Sequence, residues 1–241
     1  MLLRYLNDMW KLFSSLQEDP HKTKSVIVRQ KKLVRTIWNG KHYNDFGIER
    51  LVRLFLAIMP FTDLGLYLRN CFQGEGKGLH RKLFTDLYVI VNMFLPYIVL
   101  FGGCCDTWLF WICLYLGIET MCALLSMTFL TPDIPTPVSH RRNFILLFFN
   151  FMQFVALFAV IYIRYGVVLS LETSWYIGPL KALYLSLETF STVGFGDIVP
   201  NNGTGYFILI CQMIVILLFI YVFFATFTSK MGNSTYFNKK S

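Results

Sequence analysis

Charge is scarce in this chain. Only 15% of its 241 residues are Asp, Glu, Lys or Arg, where soluble globular domains carry about a quarter. With 55% hydrophobic and 17% aromatic residues and a positive mean hydropathy, a soluble fold is excluded and an integral membrane protein is indicated. Histidine is sparse too: four are scattered along the chain, and the six cysteines at 71, 104, 105, 113, 122 and 211 show no metal-ligand spacing, so no zinc site is expected. Cys104 and Cys105 sit together in a loop and read as small apolar residues at a helix end rather than as a disulfide to another chain. Glycine-rich phosphate loops and nucleophile elbows are missing; neither enzymatic chemistry nor a cofactor is expected. Met1 to Gln17 mixes Leu, Tyr, Trp and Phe with Arg4, Asp8 and Lys11 and has no small-residue cleavage site, so it does not read as a signal peptide.

What the chain does have is four apolar runs, about 83–102, 108–130, 143–169 and 204–229, each close to the roughly 20 residues a helix needs to cross a bilayer. Asp86, Pro96 and Glu119 inside them are tolerable in a packed bundle. The link 131–141 holds three prolines and reads as a loop. Fifteen of the 22 Lys and Arg lie in residues 1–82, densest from Lys22 to Arg35 and from His80 to Lys82. Such a basic region belongs on the cytoplasmic side, facing membrane and available to anionic lipid; no motif supports nucleic acid as its partner. The same charge rule puts Asp106 outside, Arg141 and Arg142 inside, 170–203 outside and Lys230, Lys239 and Lys240 inside, so both termini are cytoplasmic. Arg164 and Lys181 are basic on the outer half, and Arg164 is expected to snorkel to the headgroups.

Residues 46–69 are ambiguous. Phe46, Ile48, Leu51, Leu54, Phe55 and Ile58 recur at helical spacing with Arg50 and Arg53 on another face, which fits an interfacial amphipathic helix. A fifth crossing here would break the charge rule, and Arg53, Pro60, Asp63 and Arg69 leave too short an apolar stretch. The resulting organisation is a basic N-terminal region at 1–82, a first helix pair at 83–142, a distinct unit at 143–229 and a short tail at 230–241.

Between the last two apolar runs lies Ser191-Thr192-Val193-Gly194-Phe195-Gly196-Asp197. Alternate glycines let the backbone visit positive φ, so successive carbonyls can turn to one side of an extended strand. This stretch resembles the filter of the pore-loop potassium channels, T-V-G-[YF]-G-D, and residues 143–229 resemble that family's pore unit: outer helix, short re-entrant helix from about Pro179 to Ser191, filter, inner helix. Added to the four apolar runs, the resemblance, which covers only this last unit, gives the expected fold: an all-α membrane protein of four transmembrane helices plus a re-entrant helix and filter loop, expected in the plasma membrane; it implies assembly as a homotetramer and passive conduction of potassium. Potassium would be held by the Thr192 hydroxyl and the carbonyls of Thr192, Val193, Gly194 and Phe195, with Gly196 and Asp197 closing the outer mouth. The side chains of Val193 and Phe195 are expected to point away from the ion and pack on the re-entrant helix. Phe195 stands where many relatives have a tyrosine.

Glu188 stands nine residues before Asp197, where some relatives carry a buried glutamate; it is expected to be protonated or hydrogen-bonded to Asp197, because a lone buried carboxylate is costly. Leu217, Ile220, Phe224 and Thr228 share a face of the inner helix and are candidates for cavity and gate. The family's glycine hinge is missing, since no Gly lies between Gly205 and Gly232. No crossing carries the array of Arg or Lys at every third position that a voltage sensor needs, and the tail is too short for a sensor domain. Glu172 and Asp197 are placed to concentrate cations at the mouth. Sequons at Asn202 and Asn233 are weak signals. A nonselective cation channel, and a nonconducting accessory subunit of another channel, are the competing readings.

Overall fold

The computed structural model describes residues 26–39, 47–61, 63–65, 67, 78–103, 106–130, 140–166, 168–170 and 178–232. Outside these lie the stretch Met1 to Gln17, Cys71, Cys104, Cys105, residues 131–139, Glu172, and the tail from Asn233 with Lys239 and Lys240. Contacts divide the chain into two units, Met1–Tyr88 and Val89–Ser241.

The first unit contains helix α1 (Val26–Asn39) and helix α2 (Ile48–Ile58), the latter closed by a 3-10 turn at Met59–Phe61. Gly47, at φ 71°, precedes α2, a left-handed conformation that glycine enters without steric cost. Pro60 has no amide hydrogen to extend the helical ladder, which accounts for the tightened ending. Gln30 Nε2 donates to the Ala57 carbonyl at 2.9 Å and Arg50 donates to the Trp38 carbonyl, tying the two helices together.

Helix α3 (Gly78–Phe101) leads into the second unit, followed by α4 (Thr107–Phe129), α5 (His140–Tyr165), strand β1 (Val168–Ser170), the short helix α6 (Pro179–Phe190), strand β2 (Ile198–Pro200) and α7 (Gly203–Gly232). Thr107–Ser126, Asn143–Tyr165 and Gly203–Thr228 are each long and apolar enough to cross a membrane. The chain is thus an all-α integral membrane protein, with one small antiparallel ribbon among the described residues. The first of the four expected runs forms part of a 24-residue helix, whose described apolar stretch, Thr85–Phe101, is shorter than the other three.

Helix α5 is the hub of the second unit. Gln153 to Val160 are buried without interruption, so over this stretch the amphipathic stripe of a surface helix is absent and α5 is covered on every side. From the α3 side, the Tyr97 hydroxyl donates to the Met152 carbonyl at 3.2 Å. On the α4 side, a Cβ added at Gly117 would meet Leu157 Cδ2 at 2.4 Å, so any side chain there would force Leu157 to shift; this is the small-residue packing common between membrane helices. The Thr120 hydroxyl bonds to Gln153 Oε1 across the same seam at 3.2 Å. Antiparallel packing of α4 and α5 brings Arg164, at the end of α5, to Thr107 at the start of α4, and its guanidinium donates to the threonine hydroxyl at 2.9 Å. Arg164 is exposed there, at a helix end as a snorkelling residue would be.

Toward α6 and α7 the core is aromatic. Phe151 lies edge-on to both Phe190 and Phe219, at centroid distances of 5.2 and 5.9 Å, and Phe154 and Phe158 repeat the arrangement with Phe219 and Phe190. Such edge-to-face pairs add about 0.5–1.5 kcal/mol each beyond area burial. Outer helix, short helix and inner helix are therefore locked around one phenylalanine cluster.

Candidate functional site

The loop 191–197 begins where α6 ends. Pro179 occupies the first turn of α6, where its missing amide hydrogen costs nothing, and the helix stops at Phe190 against an expectation of Ser191. The chain then tightens: the amides of Ser191, Thr192 and Val193 donate to the carbonyls of Leu187, Thr189 and Glu188. The Ser191 hydroxyl also donates to the Glu188 carbonyl, at 3.0 Å.

From Thr192 onward the backbone leaves the helix in a regular alternation. Thr192, Gly194 and Gly196 have φ of 58°, 63° and 78°, while Val193 and Phe195 between them do not have positive φ. Opposite handedness at alternate residues turns successive carbonyls toward one side. A Cβ added at Gly194 or Gly196 would meet nothing within 4 Å, so glycine is required there by φ rather than by space. Thr192 is the single non-glycine residue with positive φ among the described residues. That conformation costs about 1–3 kcal/mol and concentrates at functional sites. Its hydroxyl donates to the Ser191 carbonyl at 2.7 Å, which leaves the oxygen's lone pairs free to accept or to coordinate.

Behind the loop stands Glu188, 7% exposed. Its Oε1 accepts the Gly196 amide at 3.2 Å, and its Oε2 has no partner among the described residues. The expected Glu188–Asp197 hydrogen bond is thus replaced by a bond to the loop backbone one residue earlier. Asp197 instead accepts from the Tyr184 hydroxyl at 3.4 Å. Tyr184 sits one turn before Glu188 on α6, where the spacing of the two carboxylates does not point to it. Val193 and Phe195 are 54% and 71% exposed. Their side chains are not covered by their own short helix, contrary to expectation.

After Asp197 the chain is fixed by β2, which pairs antiparallel with β1 in the register Val168 with Pro200, Leu169 with Val199 and Ser170 with Ile198. Asn201 donates to the Gly166 carbonyl at 3.3 Å. Asn202 sits immediately before α7, and its side-chain oxygen accepts the Gly205 amide at 2.9 Å, an N-cap for a helix entirely without acidic residues in its first turn. The loop is held at both ends, by α6 before it and by this ribbon and cap after it.

A buried polar chain joins the short helix to its neighbours. Gln212 on α7, Ser186 on α6 and Tyr162 on α5 are 0%, 0% and 1% exposed. Gln212 Nε2 donates to the Ser186 carbonyl at 3.0 Å and to its hydroxyl at 3.3 Å. Gln212 Oε1 accepts from the Tyr162 hydroxyl, and the Ser186 hydroxyl donates to the Val155 carbonyl at 2.7 Å. Every polar atom that these side chains bury is matched, as hydrocarbon surroundings demand. A glutamine inside an otherwise apolar helix was the signal for this cluster, since polar residues at membrane depth are costly and point inward.

Leu217, Ile220, Phe224 and Thr228 lie on the exposed side of α7, roughly opposite the buried face of Ile208, Gln212, Ile216, Phe219 and Val222. They line one stripe and share no cluster with the loop residues.

Compared with known proteins, residues 145–233 match a family model described as ion channel. The match spans α5 through α7 and includes the whole loop. No curated protein and no solved structure matches the chain.

Proposed function

We propose that this chain, in which residues 145–233 are an ion-channel unit of the pore-loop superfamily, forms a homotetrameric channel that conducts potassium selectively down its gradient. The observation that carries this reading is the alternation of positive φ at Thr192, Gly194 and Gly196. A strand so built offers a ladder of carbonyl oxygens on one side, the chemistry that replaces the water shell of a weakly hydrated monovalent cation. One strand reaches an ion from one side only, so four copies around an axis are needed to enclose it. The exposed Val193 and Phe195 are side chains such an assembly would cover.

In the tetramer, the carbonyls of Thr192, Val193, Gly194 and Phe195 and the Thr192 hydroxyl form successive oxygen rings. The bond from Gly196 N to Glu188 Oε1 holds the upper end of the ladder from behind. By the distribution of Lys and Arg, Asp197 faces outside and Thr192 the cell interior, with both termini cytoplasmic and α3 as a fourth crossing of the plasma membrane. Leu217, Ile220, Phe224 and Thr228 then face the cavity below the filter, where a ring of Ile220 or Phe224 closes the path by dewetting. Without a charge array, conduction is not strongly voltage-dependent. No cofactor and no catalytic step are needed; potassium is the permeant ion.

The test is flux from purified protein in liposomes. The reversal potential is expected to follow the potassium gradient and ignore sodium, barium to block, and Gly194→Ala to abolish the current, because a left-handed alanine costs about 1–2 kcal/mol in each of four subunits. A reversal potential that responds equally to sodium leaves a nonselective cation channel. Silent liposomes made from intact tetramers leave an accessory subunit.

A further inference from the structure

In a helical hairpin bathed by water, apolar side chains meet between the helices and charged ones face out. Helix α2 departs from this on both faces. Arg53 is 4% exposed on its buried face, beside Leu56 and Ala57, while Ile48 is 80% exposed, Leu51 67%, Phe55 55% and Ile58 49%. At 3.6 residues per turn these four, with Val52, fall in one arc about 120° wide. Helix α1 cannot cover that arc, because it already lies against the opposite face, where Gln30 bonds to the Ala57 carbonyl. A helix that turns an arginine inward and five large apolar residues outward is matched to apolar surroundings.

The charge of the hairpin narrows the choice of surroundings. Lys31, Lys32 and Arg35 are exposed and Arg50 is half-buried, and Glu49 is the single acidic residue within α1 and α2. A second protein surface apolar enough to cover α2 would have no reason to tolerate this excess. A leaflet with anionic headgroups satisfies both demands, since acyl chains receive the apolar face and phosphates the cations. The chain is also tethered to a bilayer, with three stretches long and apolar enough to cross it.

We propose that α2 lies in the membrane–water interface with Ile48, Leu51, Val52, Phe55 and Ile58 against acyl chains, and that the hairpin's cations select anionic phospholipid. The test places a photoreactive benzophenone side chain at position 55, and separately at position 51, of the full chain reconstituted in vesicles of equal parts phosphatidylcholine and phosphatidylglycerol. After irradiation, mass spectrometry identifies what each position has captured. Phospholipid adducts are expected to dominate at both positions, with phosphatidylglycerol several-fold over phosphatidylcholine. Adducts to peptides of this chain, whether its own or a second copy's, would overturn the proposal, as would no adduct at either position in folded protein. Capture of the two lipids in equal amounts would overturn the anionic preference. Because the readout needs no ion flux, its failure and that of the potassium reading are separable.

Discussion

Replacing Gln212 by leucine should damage the protein more than replacing Gln212 and Tyr162 together. The single change Gln212→Leu keeps the volume of the side chain roughly constant, so packing is a minor contribution. It removes the amide that donates to Ser186 at 3.0 Å and the oxygen that accepts the Tyr162 hydroxyl. Hydrogen bonds between membrane helices are worth about 0.6 kcal/mol each on average, which sets a floor near 1 kcal/mol for the two. The Tyr162 hydroxyl, 1% exposed, is then left buried without an acceptor, and an orphaned group of this kind costs about 1–3 kcal/mol more. The expected loss is therefore about 2–4 kcal/mol per subunit. Adding Tyr162→Phe deletes the orphan and should return about 1–3 kcal/mol of it. The assay is equilibrium unfolding of both single variants, the double variant and the parent in bicelles, read as a double-mutant cycle. If the two single losses simply add, the Tyr162–Gln212 bond contributes nothing and the argument from burial fails.

Three further tests address the helix seam and the two ends of the loop. Gly117→Ala should destabilise by about 1–3 kcal/mol through overpacking against Leu157, and Leu157→Ala added to it should recover part of that loss in the same unfolding assay; equal stability of Gly117→Ala and parent would mean that the seam relaxes freely. Glu188→Ala removes the acceptor of the Gly196 amide and, if the proposed conduction holds, should speed the decay of current during sustained opening, whereas Glu188→Gln, which keeps an acceptor oxygen, should decay near the parental rate. Equal decay in both variants refutes the bracing role. Asn202→Ala deletes the N-cap bond to Gly205 and should cost about 1 kcal/mol, while Asn202→Asp should retain stability; melting temperatures decide between them.

The loop itself was legible in the sequence because its requirements are local. Gly194 and Gly196 had to take positive φ wherever the rest of the chain went, and Pro179 marked a helix start by the same kind of constraint. Thr192 was not legible in this respect: nothing in a threonine announces φ of 58°, which follows from the tight exit out of α6. The carboxylate's partner was missed for a geometric reason. Spacing places Glu188 near the far end of the loop, but only the folded backbone determines that the Gly196 amide, rather than Asp197, faces it. Tyr184 then takes the aspartate from one turn earlier on the same helix. The ribbon of β1 and β2 left no trace in the pattern, since three residues per strand are too few for a period of two to be read. Gln212 was visible as a polar interruption, but its partners lie on two other helices and no sequence spacing connects them.

Enclosure of α5 between Gln153 and Val160 bears on the order in which the molecule is made. Chains leave the ribosome from the N-terminus at roughly 5–20 residues per second, so α3 and α4 precede α5, and α6 and α7 follow it after several seconds. Part of the surface of α5 finds its cover, at Tyr97 and along the Gly117 seam, before the loop has been synthesised. During that interval the phenylalanines at 151, 154 and 158 wait for Phe190 and Phe219. The first helix pair thereby serves as a scaffold in time as well as in space, presenting an anchored, half-finished wall onto which the last third of the chain closes.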